Sequence, residues 1–314
     1  MTIKQIYNLA LETGIAADPR GKRGVEKWLD REKKTYQKLS KDEHEFYDKE
    51  RLTNPYSDTR FHFGDPNKSV KTILTGIEVE EPEIALAKAS GENINLIITH
   101  HPIGTSLAAL DNVMNMQADM MASRGIPINV AEGILKERLA RISRGLAPEN
   151  HMRPIDAARF AKIPIMNLHT VCDNLIYQFV QDLMDRKNPE TVGEIIELLR
   201  KIPEYKIAAK NAAGPRIFAG SPENRAGKIV VLATGGTEGA KEMYSELVKA
   251  GVGTVIDMHI REEYLDEAIK AHLNVVIAGH ISSDSIGMNL FLDKLAAKNI
   301  KIIPISGLTR VRRK

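Results

Sequence analysis

The chain has 314 residues, enough for one large domain or two ordinary ones around a substantial buried core. Hydrophobic residues make up 43% and charged residues 27%, a balance that excludes a disordered or membrane-embedded chain. The formal charge of +3 lacks the basic excess of a nucleic-acid binder, and the single cysteine, Cys172, excludes an internal disulfide and suits a reducing cytosol.

The chain opens on a capping box, Thr2-Ile3-Lys4-Gln5, rather than on a secretory signal. Ile3, Ile6, Tyr7 and Ala10 continue at helical spacing, and Gly14 is the expected stop. No uncharged apolar run approaches the ~20 residues of a membrane span, so a cytoplasmic protein is expected. Residues 20–51 then hold 11 Lys or Arg and 8 Asp or Glu, with Val25, Trp28, Leu29 and Leu39 tracing a thin apolar face. A second capping box, Ser40-Lys41-Asp42-Glu43, opens a stretch towards Phe46. The segment reads as a charged, solvated pair of helices docked by a few anchors; a partner-binding or lid element is the competing reading.

From about residue 70, short β-branched runs alternate with amphipathic stretches. Strands are expected at Lys71–Ile77, Asn95–Thr99, Ile126–Val130, Ile163–Leu168, Lys228–Thr234, Thr254–His259 and Leu273–Ala278. Helices are expected at Pro82–Ser90, Leu107–Arg124, Leu175–Asp185, Thr191–Lys201, Ala240–Ala250, Glu262–Ala271 and Ser285–Ala297. Such alternation predicts α/β layers with largely parallel strands. The segment Lys206–Gly227, with three Gly and two Pro, is the expected break between an N-terminal lobe at 1–205, carrying the charged helical segment at 20–55, and a C-terminal lobe at 206–314. The loop Thr234–Gly239 reads as a tight strand-to-helix turn; it lacks the lysine and spacing of a phosphate-binding P-loop. The basic tail Arg310–Lys314 reads as a frayed, solvated end.

Three predicted strands run into histidine: His100-His101-Pro102, His169-Thr170-Val171-Cys172-Asp173, and His280-Ile281-Ser282-Ser283-Asp284. Open α/β sheets bind ligands at the carboxyl ends of their strands. His169 and Asp173, like His280 and Asp284, are four residues apart, so one helical turn puts each pair on one face. Adjacent histidines point to opposite faces of a strand, so His100 and His101 can serve two different ions. Imidazole with carboxylate suits zinc, iron, manganese, nickel or cobalt without discriminating among them.

These runs, Thr-His-His-Pro at 99–102, His-Thr-x-x-Asp at 169–173 and Gly-His-x-x-x-acid at 279–284, resemble in order and position the three motifs of the Nif-three-like proteins, type 2 homologues of GTP cyclohydrolase I. The resemblance covers about residues 70–314 and implies a two-lobed α/β chain, assembled as a homohexameric ring, that holds two divalent metal ions. It implies that His100 and His101 each bind a different ion, that Asp173 and Asp284 are shared or bridging, and that His280 completes the set. His169 matches a position behind or beside the ions. The family usually has glutamate at 284, and the residue facing the metals after the strand at 254–259 is here His259.

The expected fold is thus α/β: two interlinked α/β lobes with mixed, largely parallel sheets flanked by helices, interleaved around a shared metal site, plus a charged helical N-terminal extension. The expected function is a metal-dependent hydrolase acting on a small nucleotide or pterin-like molecule through a metal-bridging water, with His169 or His259 relaying the proton. The alternative is a non-catalytic metal-binding or regulatory scaffold.

Overall fold

A computed structural model describes residues 1–313. Among them run nine strands: β1 (Thr59–Phe63), β2 (Thr72–Gly76), β3 (Leu96–Thr99), β4 (Ile165–Leu168), β5 (Arg216–Ala219), β6 (Lys228–Val231), β7 (Val252–Asp257), β8 (Asn274–Ile277) and β9 (Lys301–Pro304). They form two sheets, ordered β1-β4-β3-β2-β9 and β5-β8-β7-β6. Only β1 on β4 and β5 on β8 pair antiparallel. The expected α/β class with mixed, largely parallel sheets is what the chain forms.

Parallel strands must be covered on both faces, and both sheets are. Leu74, Ile97 and Ile165 of the first sheet pack against helices Glu81–Ala89 and Arg153–Ala161. Val230, Val255 and Val275 of the second pack against helices Ile128–Leu146, Met243–Lys249 and Glu262–Lys270. Between the sheets lie the helices Thr170–Lys187 and His280–Ala296, packed directly on one another. Val171, Cys172, Met288 and Phe291 join the core of the first sheet. Ile176, Val180, Met184 and Ile286 join the core of the second. One helix pair therefore serves two cores, and both helices begin at the same end.

Both N-terminal capping boxes form, at Thr2/Gln5 and Ser40/Glu43. The charged segment is two helices, Gly21–Lys38 and Lys41–Phe46, anchored by the buried Val25. Among the described residues no helix is long and apolar enough to cross a membrane.

Several expectations need correction. Gly14 does not stop the first helix, which runs Ile3–Ala16. It is buried inside that helix, where a Cβ would stand 2.8 Å from the Val171 backbone, so its role is close helix packing. Ile126–Val130 is not a strand: the helix Ile128–Leu146 starts there, because Ala131, Leu135 and Arg138 supply a buried stripe at helical spacing that overrides the local β-branched run. Leu107–Arg124 is divided into short helices, Gly104–Ala108, Leu110–Val113 and Met116–Ser123. The basic tail is tied down: Arg310 pairs with Asp293, and Arg313 forks onto Glu204 at 2.7 and 2.9 Å. Lys314 lies outside the described residues.

Candidate metal centre

Four strand ends meet at one place. β3 ends at Thr99 and continues into His100; β4 ends at Leu168 before His169; β7 ends at Asp257, two residues before His259; β8 leads through Gly279 to His280. Gly279 makes the last turn with φ at 106°, and a Cβ there would meet Ala213 O at 2.6 Å. The rings form a contiguous set, with centroids 5.0 Å apart for His100–His169, 5.3 Å for His100–His101, 5.2 Å for His101–His280 and 4.7 Å for His259–His280. Asp173 and Asp284, each one turn into a central helix, point into the same space.

The hydrogen bonds fix how three of these rings present their nitrogens. His100 Nδ1 lies 3.0 Å from Leu168 O, which can only accept, so Nδ1 donates. His101 Nδ1 donates to Glu78 at 3.0 Å and His169 Nδ1 to Asp58 at 2.7 Å. Each ring then turns its Nε2 inward, onto a carboxylate. His100 Nε2 is 3.3 Å from Asp173 Oδ1 and 3.6 Å from Asp284 Oδ1. His101 Nε2 is 3.4 Å from Asp284 Oδ2, and His169 Nε2 is 3.7 Å from Asp173 Oδ2. His280 Nε2 is 3.5 Å from Asp284 Oδ2.

These separations exceed those of charge-assisted hydrogen bonds, which run about 2.7–2.9 Å. They match the spacing of donor atoms around a tetrahedral ion, ~3.4 Å apart when each is ~2.1 Å from the metal. His100 Nε2, Asp173 Oδ1 and both carboxylate oxygens of Asp284 are buried without a hydrogen-bond partner. Buried polar atoms in native interiors are nearly always paired. Two groups, His100–His101–Asp284 and His100–His169–Asp173, can each hold a metal ion.

The electrostatics agree. Burial alone would raise the Asp284 carboxyl, yet His100, with His101 and His280, holds it well below the usual carboxylate range. Burial pulls His100 down, but Asp284 and Asp173 outweigh it and raise the ring well above an ordinary histidine. His169 is likewise raised, Asp173 and Asp58 prevailing over desolvation. His280 is lowered, chiefly by desolvation. Nearby, burial pushes Asp257 up to about 7. His259 sits on the rim, its Nδ1 3.3 Å from Glu238 Oε1.

No protein-family model and no curated protein matches the chain. Solved structures do. The NIF3 superfamily protein from Sphaerobacter thermophilus superposes with a TM-score of 0.76 over 98% of this chain and 99% of its own, at 21% identity. The chain has a NIF3-like fold. Reduced HcgD from Methanocaldococcus jannaschii is similar at a TM-score of 0.53 and 15% identity, over 83% of this chain and 93% of its own.

In this NIF3-like chain all seven residues singled out from the sequence, His100, His101, His169, Asp173, His259, His280 and Asp284, fall in one cluster. Asp58 and Glu78 were not anticipated. Asp58 accepts from both His169 Nδ1 and Thr170 Oγ1, at 2.7 and 2.6 Å, just before β1. The alternating Thr59-Arg60-Phe61-His62-Phe63 was a usable strand signal there, hidden behind the charged segment. Asp257 was within an expected strand but carried no motif of its own.

Proposed function

We propose that the chain is a Nif-three-like protein holding two divalent metal ions, and that it is a metal-dependent hydrolase of a small molecule. One observation carries the reading: three histidines, each locked by an outward Nδ1 donor, aim Nε2 atoms at two carboxylates whose buried oxygens otherwise lack partners. Without metal, protons on the raised His100 and His169 rings balance these anions, and metal ions would take the place of those protons. The donor set of imidazole and carboxylate fits zinc, iron, manganese, nickel or cobalt.

On this reading His101, His280 and Asp284 would hold one ion, and His100 and Asp173 would hold the other; the two oxygens of Asp284 face His100 and His101 respectively. His169 is assigned here to the second ion rather than to proton relay, because Asp58 behind its Nδ1 is the carboxylate support that metal-bound histidines characteristically have. When bound, two such ions acidify water and stabilise charge developing on oxygen. Glu238 then fixes the His259 ring at the rim through Nδ1, leaving Nε2 to move a proton. Two cavities adjoin the cluster, a narrow one of about 60 Å³ and, past Glu78, His101, His259 and His280, a more open cavity of about 310 Å³ that gives a small substrate access. That cavity favours an enzyme over a storage or regulatory scaffold.

Protein purified without chelator and then reconstituted is expected to carry two equivalents of metal by elemental analysis; a plateau at one equivalent or none overturns the dinuclear reading. The loaded protein should hydrolyse a member of a panel of phosphoesters, nucleotides, amides and lactones, and inertness towards all of them would leave a scaffold. We also propose the ring of six, so light scattering should give a mass near six times 34.9 kDa, and a clean monomer would refute it.

A further inference from the structure

The cavity beside the cluster continues inward, past Asp257 and Met243, to Met121, Leu232 and Arg124. Asp173 and Tyr177 are successive turns of one helix, ~6 Å apart along its axis. Arg124 and Tyr177 share the wall of a surface cleft on the far side. Arg124 therefore lines both the cavity beside the cluster and that cleft. Its Nη2 donates to Val231 O at 3.0 Å and the Tyr177 hydroxyl lies beside it, but among the described residues no carboxylate pairs with it. Desolvation lowers its pKa from the ordinary guanidinium value. Arg124 is half-buried, and a guanidinium with only neutral partners favours an anionic ligand beside it.

The glycine-rich loop points the same way. Thr234, Gly236, Thr237, Glu238 and Gly239 line the cavity. Gln117 Nε2 takes the carbonyls of Gly235 and Thr237, both at 2.7 Å. In trans peptides the N–H groups of Gly236 and Glu238 then point away from Gln117. None of the backbone N–H groups of residues 234–239 donates to an acceptor among the described residues. The acids nearby are already engaged: Glu238 by Arg261 and His259, Asp173 and Asp284 by the cluster. Burial pushes the Asp257 carboxyl up, towards its neutral form.

We propose that Arg124 and the Thr234–Gly239 loop bind a phosphate or carboxylate group of the substrate, whose reacting end lies at the metal ions. The substrate is then a small oxyanion, held at both ends of one cavity. This rests on the metal centre proposed above, so the test reads metal content and anion binding separately.

Inorganic phosphate and acetate are titrated calorimetrically into metal-loaded wild type, Arg124→Met and Arg124→Lys, with metal measured in each sample. For one of the two anions Arg124→Met should weaken binding on the order of 30-fold or more. Arg124→Lys, which keeps the charge but not the fork, should fall between. Metal content should not change. The anion that shows this dependence identifies the group. Should Arg124→Met fail to fold, Arg124→Lys carries the test alone through its weaker binding. No detectable binding, or binding indifferent to every folded Arg124 variant, overturns the inference and places any bound anion on the ions alone. Arg124-dependent binding in protein that never acquires metal would overturn the metal centre and leave the anion site standing.

Discussion

Asp284→Ala should purify without its metal complement and should not recover it on reconstitution. This carboxylate is 1% exposed, lies within 3.4–3.6 Å of three histidine nitrogens, and contributes two of the unpartnered buried oxygens. Its removal leaves both sets of imidazoles without the anion they share, so like charges would face each other across the cluster. Asp58→Asn gives the contrast. It weakens the support of His169 while sparing the donors themselves, and such supporting residues typically cost roughly 10–100-fold in affinity. Asp58→Asn should therefore fill at saturating metal where Asp284→Ala stays empty. Parallel metal titrations decide the point: full occupancy of Asp284→Ala would remove the residue from the centre.

Gly287→Ala is expected to be strongly destabilising. A Cβ at Gly287 would stand 2.4 Å from Cys172 O, a backbone atom that cannot rotate away. The helices Thr170–Lys187 and His280–Ala296 must then separate, and both are committed to the cores on either side. Overpacking a close interior contact costs roughly 1–3 kcal/mol, and a clash with backbone belongs at the upper end or beyond. For a chain of this size each kcal/mol lowers Tm by about 2–4 °C. Because Cys172 adjoins Asp173, and Gly287 lies about one turn from Asp284, the same separation pulls the two carboxylates apart. Thermal melts with and without metal should show a lower Tm and a smaller stabilisation by metal. An unchanged melt would mean that the helices do not rely on this contact.

The cluster was legible because its donors sit on patterns the chain cannot hide. His100, His169 and His280 each end a β-branched run, and Asp173 and Asp284 follow their histidines at one helical turn. Pattern reading works where spacing along the chain determines spacing in space. Asp58 fails that condition: it meets His169 across 111 residues, and nothing local announces the pairing. Arg124 fails it too, as it caps a short helix and draws its meaning from the cavity beside it. Short elements slipped through for a related reason. The four-residue β9 ends in Pro304 and pairs only with β2, at the edge of the sheet, where weak strand sequences suffice. At Ile126–Val130 a β-branched run was outvoted by the helical stripe that follows it.

The helix pair that joins the two sheets also sets when the centre can come into being. His100 and Asp284 are more than half the chain apart, and β8 and the last central helix follow every other donor-bearing strand in the sequence. Contacts of such long range form after the local ones, because closing a long loop is repaid only once its ends meet. A nascent chain holding His100, His101, His169 and Asp173 therefore displays an incomplete ligand set until its last quarter docks. On the proposed assignment, metal capture would follow this docking rather than precede it. A truncation before residue 280 should leave a chain that folds in part and captures neither ion tightly.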